Sequence, residues 1–91
     1  MSKFVIVTAY DRENKVFGIK TLVNLSKVDS ISEESMKEDC GKINIITFND
    51  SSIGIKESID YICKNAFSFE EEEIFSWFHE LIKKWNNYML I

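Results

Sequence analysis

The sequence predicts a single α+β domain over residues 1–91, with a three-stranded, mainly antiparallel sheet and two C-terminal helices packed on one face. Three observations support this fold class. Two stretches near the N-terminus have the composition of strands, an apolar run follows near the middle, and the last third carries helical periodicity. A chain of 91 residues is long enough for one domain with a modest hydrophobic core.

The predicted strands lie at about residues 3–10, 16–26 and 43–48. The first contains Phe4–Val7, a run that is apolar on both faces and therefore typical of a central strand. The second alternates apolar and polar side chains, and the polar residues 11–15 before it predict a hairpin turn. The position of the third strand stays open, because its connection can cross the sheet.

The connection between the second and third strands, residues 27–42, allows two interpretations. Ser30 and Glu33 have the spacing of a capping box, and Gly41 suits a helix end, which together favour a short exposed helix over residues 30–40. This stretch is rich in acidic residues and poor in apolar ones, so an ordered acidic loop fits the same residues.

The first of the two C-terminal helices is expected at about residues 53–65. Apolar residues recur there at spacings of three, four and seven, and Cys63 lies among them, which predicts a buried free thiol. Residues 49–52 have the chemistry of a turn followed by a helix N-cap. Cys40 and Cys63 form no CxxC or zinc pattern, and whether they are ever oxidised stays open.

The second C-terminal helix is expected at about residues 69–88 and has the clearest periodicity in the chain. Its apolar side chains, with Trp85 among them, fall on one broad arc that we expect to be buried. Ser68 followed by Glu71 predicts a capping box, and Glu70–Glu73 place negative charge at the positive end of the helix dipole. We expect Trp85→Ala to destabilise the domain by about 3–5 kcal/mol.

The sequence contains no catalytic, metal or cofactor motif. The single histidine, His79, lies on the polar arc of the last predicted helix and has no neighbouring nucleophile. No phosphate-binding or dinucleotide-binding glycine motif occurs, and the acidic spacing matches no EF-hand loop. We therefore expect a protein that is not an enzyme and that has neither a cofactor nor a metal.

Composition also limits the classes of partner. No apolar run reaches the length of a membrane span, and residues 4–7 are too few for a signal peptide, so we expect a cytoplasmic protein without membrane attachment. The basic residues near the N-terminus are few and are not interleaved with exposed aromatic residues. Direct nucleic-acid binding is therefore not expected.

Acidic charge is concentrated in the middle of the chain. The net charge is −4 overall, whereas residues 29–73 alone carry −8. We expect this acidic face to bind a protein partner with a basic surface, because opposite charges steer association. The candidate contact residues are Asp29, Glu33, Glu34, Glu38, Asp39, Glu70, Glu71, Glu72 and Glu73.

In size and composition, the chain resembles small acidic phage-encoded inhibitors of host nucleic-acid enzymes, including anti-CRISPR proteins. This resemblance implies an inhibitor of a nucleic-acid-binding enzyme and implies nothing about the fold. It agrees with the acidic surface expected from the charge distribution.

Self-assembly is the alternative function that the sequence allows. The last predicted helix has an apolar arc of about 160°, which is wider than the stripe of a one-sided surface helix. The apolar residues 89–91 add to this surface. A homodimer or a subunit domain would use it to pack against a second chain, so the sequence allows either a monomer or a homodimer.

Overall fold

The structure is a computed structural model that describes residues 2–35, 41–84 and 88–90. Within these ranges the strands are β1 (Ser2–Asp11), β2 (Val16–Asn24), β3 (Ser30–Ser35), β4 (Lys42–Phe48), β5 (Ser51–Ile55), β6 (Phe67–Phe69) and β7 (Tyr88–Leu90). The α-helices are α1 (Ile59–Asn65) and α2 (Glu71–Leu81), and two short 3-10 helices cover Leu25–Lys27 and Ile82–Lys84.

The strands of the described residues form one mixed sheet of seven strands. Its order is β3-β4-β5-β1-β2-β7, and β6 pairs separately with the start of β1. The β2–β7 pair is parallel, and the other described pairs are antiparallel. Strand β1 contacts β5 through one register pair, Ala9 with Ile55, whereas its pairing with β2 runs along almost its full length. The β1–β2 hairpin is therefore the centre of the molecule.

The predicted three-stranded sheet is wrong, although a domain of mixed helices and strands is compatible with the broad α+β class. The predicted strands at residues 3–10, 16–26 and 43–48 correspond to β1, β2 and β4. Strands β3, β5, β6 and β7 were not predicted. Three of these four have five residues or fewer, so their local patterns carry little signal.

Strand β3 occupies most of the stretch for which a helix or an acidic loop was predicted. Ser30 and Glu33 lie in this strand, so their capping-box spacing does not mark a helix start. Ile31 pairs opposite Ile46 and packs against a buried core, while the other residues of β3 are exposed. One inward apolar side chain in six residues is too little to be recognised as alternation.

The helix predicted for residues 53–65 is wrong in its first part. Asn49 and Asp50 form a tight hairpin turn between β4 and β5, with positive φ angles of 43° and 65°, as a two-residue turn of type I′ requires. Helix α1 begins later, where the Ser58 hydroxyl accepts a hydrogen bond of 3.1 Å from the Tyr61 backbone N–H. The N-cap predicted before residue 53 is therefore displaced by several positions.

The helix predicted for residues 69–88 is also too long. Helix α2 is followed by a 3-10 turn and then by β7, so the chain returns to the sheet within the predicted range. Ser68 lies in β6 opposite Lys3, and Glu70 at the N-cap of α2 makes no side-chain capping bond, so the predicted capping box is absent. Trp85 lies outside the described residues, and its predicted burial stays untested.

The β1–β2 hairpin contributes to a hydrophobic core on each of its faces, because successive strand residues point to opposite sides. The strand core consists of Val5, Val7, Val23, Ile46, Ile55 and Ile62. The helix core consists of Phe4, Leu22, Ile74, Phe78 and Ile82. Helix α1 thus supplies a residue to the strand core and α2 supplies residues to the helix core, so the prediction that both helices pack on one face is wrong.

A polar contact holds β1 to the segment after β5. The Glu57 carboxylate accepts hydrogen bonds from the Thr8 backbone N–H at 2.7 Å and from the Thr8 hydroxyl at 2.9 Å. The Lys20 ammonium donates to the same hydroxyl at 3.3 Å, and the Asn44 side chain donates to the Glu57 carbonyl oxygen at 3.1 Å. These bonds join the two halves of the sheet where strand pairing is short.

Candidate functional site

The predicted contact acids lie in two groups on different elements. Asp29, Glu33 and Glu34 lie at or in β3, at one end of the strand order. Residues Glu70–Glu73 lie at the start of α2, on the side of the hairpin that carries the helix core. Residues 38–39, which complete the predicted set, are outside the described residues.

The acids near β3 are partly compensated by neighbouring groups. The Asp29 carboxylate accepts a hydrogen bond of 3.1 Å from the Asn49 backbone N–H, which ties it to the β4–β5 turn. The Glu33 carboxylate forms an exposed ion pair of 3.3 Å with Lys42. Glu34 is exposed and has no ion pair within the described residues. Within the described residues, Glu33 is therefore the member of this group whose charge is offset by a cation.

Glu71 is a structural member of the group on α2. Its carboxylate accepts hydrogen bonds from the Ser2 hydroxyl and, at 3.3 Å, from the Asn24 side-chain amide. These two hydrogen bonds, together with the nearby positive charge of Lys27, lower the pKa of Glu71 below its ordinary value. Glu71 thus connects the start of α2 to both strands of the central hairpin.

The other three carboxylates of this group, Glu70, Glu72 and Glu73, are exposed to solvent. None of them forms an ion pair with a residue that the structure describes. Their position at the start of α2 is electrostatically favourable, because the helix dipole is positive there. They are therefore a concentrated negative charge that the described part of the fold does not neutralise.

An apolar groove lies between α2 and β7. Its volume is about 350 Å³, and its lining includes Phe75, His79, Ile82, Tyr88 and Leu90. Three of these side chains are well exposed for their type: Phe75 at 56%, Tyr88 at 49% and Leu90 at 45%. Several exposed apolar side chains gathered in one groove are typical of an interaction surface.

A smaller cleft continues the groove toward the acidic end of α2. It measures about 80 Å³ and shares Phe75 and Leu90 with the groove. Glu71, Lys27 and Asn24 also line it, so polar and apolar walls meet there. The start of α2 and the apolar groove therefore meet at this cleft, through the side chain of Glu71.

Aromatic rings pack on the opposite flank of α2. The Trp77 ring lies 5.4 Å from the ring centroids of both Phe67 and Phe69, and Phe67 also contacts Phe4 at 6.3 Å. At 100° per residue, Phe75 and His79 fall on the groove flank, whereas Trp77 falls on the other flank. Within the described residues, aromatic rings therefore pack against one flank of α2, and the groove lies on the other.

The described residues bear on three possibilities: a metal site, a membrane-spanning helix and a cysteine pair. No group of three or more His, Cys, Asp or Glu side chains there is arranged to hold a metal ion. None of the helices in the described part of the chain combines the length and hydrophobicity needed to cross a bilayer. Cys63 is exposed on α1, so its predicted burial is wrong, and its relation to Cys40 lies outside the described residues.

Sequence reasoning identified the carboxylates of this surface but not the groove beside them. Phe75 was assigned to the buried arc of a long helix, and Tyr88 was placed at the end of that helix. The apolar residues 89–91 were the one available signal, because an apolar segment at this position suggests additional packing surface. The return of the chain to β2 as β7 is what creates the second wall.

No known protein family, curated protein or solved structure matches this chain. The functional proposal therefore depends on the geometry and charge of the described residues.

Proposed function

We propose that this domain is a non-enzymatic protein that binds a basic surface of another protein. The observation that carries the proposal is the set of exposed carboxylates of Glu70, Glu72 and Glu73, which have no ion pair within the described residues. Closely spaced like charges of this kind attract an oppositely charged partner and raise its association rate. Glu34 on β3 adds a weaker second contact.

The partner class we propose is a nucleic-acid-binding enzyme, inhibited in the manner of phage-encoded proteins such as anti-CRISPR proteins. Such enzymes use Lys and Arg side chains to contact phosphates, and a cluster of carboxylates competes for the same side chains. The small size, the acidic composition and the clustered charge of the chain support this proposal. We place the protein in the cytoplasm, where an exposed thiol such as that of Cys63 stays reduced.

The test is a matched pair of charge-reversal variants. Replacing Glu70, Glu72 and Glu73 together by Lys should abolish capture of basic partners by the immobilised domain. The control replaces Glu13, Asp60 and Glu80 by Lys, three exposed acids elsewhere that give the same change in net charge. Circular dichroism should show that both variants fold. Equal capture by both variants, after correction for net charge, would contradict the proposal.

Self-assembly is the second candidate, and the exposed side chains of Phe75, Tyr88 and Leu90 favour it. Sedimentation equilibrium across the micromolar range separates the two functions. A monomer supports binding to a different protein, whereas a dimer that Phe75→Ala dissociates would replace the first candidate with the second.

A further inference from the structure

We propose that the groove between α2 and β7 is a docking site for a partner segment that combines an apolar anchor with basic side chains. The inference rests on the proposed function, since the groove runs along α2, the helix that begins with the acidic residues. It adds that recognition depends on a hydrophobic side chain in the groove as well as on charge. The proposed class of partner is therefore a basic amphipathic segment.

The groove has the form that an inserted side chain requires. Phe78 and Ile82 are buried against the hairpin, at 1% and 4% exposure, and they form its floor. Phe75 on one wall and Tyr88 and Leu90 on the other remain exposed. The volume of about 350 Å³ lies at the small end of known ligand sites and suits one or two large side chains. Filling it would remove exposed apolar surface from water.

The charge beside the groove selects for a basic partner. Glu72 precedes Phe75 by three positions, so both side chains lie on neighbouring parts of the helix surface. A basic residue about one helical turn from the anchor would reach this carboxylate. At the other end of α2, Lys83 is already paired with Glu80 at 2.9 Å. The Glu72 carboxylate forms no ion pair within the described residues and is therefore available to a basic residue of the partner.

The same charge disfavours a second copy of this chain as the occupant. The chain has a net charge of −4, and a second copy would bring its own acidic helix start to the interface. Like charges placed opposite each other weaken association. A basic amphipathic segment would instead pack an apolar side chain between the walls of the groove and pair its basic side chains with the carboxylates.

The experiment uses the full chain and three synthetic peptides of about four helical turns. The first peptide has Leu and Lys at amphipathic helical spacing, the second has Ser in place of Leu, and the third has Glu in place of Lys. Isothermal titration calorimetry should show that the first peptide binds and that each of the others binds about tenfold more weakly or worse.

Matched variants of α2 test the location. Phe75→Ala should lower the affinity of the domain for the first peptide by about tenfold, as expected for an anchor contact. Leu81→Ala is the control, because Leu81 lies on the opposite flank of the same helix and has 40% exposure. The affinity of the Leu81→Ala variant for the first peptide should stay within about twofold of the wild-type value. Backbone amide shifts on titration should be largest at Phe75, His79 and Leu90.

Three results would overturn the inference. If Phe75→Ala and Leu81→Ala bind the first peptide alike, while the Lys reversal of Glu70, Glu72 and Glu73 abolishes binding, charge recognition stands and the groove does not take part. If no basic peptide binds the wild-type chain at about 1 mM, both proposals fail. A wild-type dimer that Phe75→Ala dissociates would assign the groove to a second copy of this chain.

Discussion

The two faces of the β1–β2 hairpin are covered differently. The strand core is covered by β4, β5 and α1, and half-buried side chains such as Leu25, Val28 and Phe48 extend it. The helix core is covered by α2 with the short strands β6 and β7 at its sides. The strands beside α2 have only three residues each, and apolar side chains at the flank of α2 remain exposed. The helix-core face carries the groove that we propose as a docking site.

The largest expected effect is on stability, and it tests whether the helix core contributes as much to the stability of the domain as the strand core does. Phe78→Ala, at a position that is 1% exposed in the helix core, should lower the free energy of unfolding by about 3–5 kcal/mol. Ile46→Ala in the strand core should cost about 2–5 kcal/mol. Urea denaturation measures both.

The exposed neighbour provides the control for this comparison. Phe75→Ala should cost less than about 1 kcal/mol, because Phe75 is 56% exposed and loses little burial. If Phe78→Ala also costs less than about 1 kcal/mol, α2 is not a structural part of the domain and the two faces are not comparable.

The next effect concerns the polar link between the two halves of the sheet. Glu57→Ala removes two hydrogen bonds to Thr8 and should destabilise the domain by about 1.5–3 kcal/mol, the range for a hydrogen bond to a charged group. Hydrogen exchange at the Thr8 amide should accelerate. Asp60→Ala, which breaks an exposed pair with Lys64, is the control and should cost less than about 1 kcal/mol.

A pH titration sharpens the role of Glu71 on the helix-core side. Hydrogen bonds from Ser2 and Asn24 lower its pKa in the folded state, so its contribution to stability is fully present above the ordinary pKa of a glutamate in the unfolded chain. This contribution is lost as the pH falls through the lower, folded-state pKa. Glu71→Gln should therefore make the acid-induced loss of stability shallower in urea melts at pH 7 to 3.

Glu72→Gln is the matched control for loss of one charge at the same helix start. If Glu71→Gln and Glu72→Gln give the same stability profile with pH, the bonds from Ser2 and Asn24 do not stabilise the folded state.

The smallest effect is expected at the edge of the sheet. Glu33→Ala breaks the exposed pair with Lys42 and should change the free energy of unfolding by less than about 1 kcal/mol. It should also leave binding of the basic amphipathic peptide unchanged. A large loss of peptide binding would indicate that the peptide contacts β3 and not α2. The two acidic groups would then not differ in the way proposed.

Particular residues show how far the fold could be predicted. Phe4–Val7 was recognised as a central strand because a continuous β-branched and aromatic run is a strong local signal. Ile55 and Ile62 lie seven positions apart, which fits one helix face, yet Ile55 belongs to β5 and Ile62 to α1. Both side chains lie in the same strand core. Their spacing was therefore interpreted as one continuous helix, although they belong to two different elements.

Of the candidate site, the sequence predicted the acidic residues but not the groove. Glu70–Glu73 were placed correctly at a helix start, because four consecutive acids before an apolar periodic stretch are typical of one. Glu71 was assigned to a capping box, whereas its partners Ser2 and Asn24 are distant in sequence. The groove wall at Tyr88 depends on parallel pairing with Lys20, which no local pattern indicates.

The sequence by itself determined the central hairpin, the amphipathic start of α2 and the separation of acidic from apolar residues, because each depends on the side chains of neighbouring positions. Only the tertiary structure decided the seven-stranded order, the division into two cores and the open groove beside α2. Short strands such as β6 and β7 have too few side chains to specify their partners. Their backbone hydrogen bonds form only where distant segments already meet.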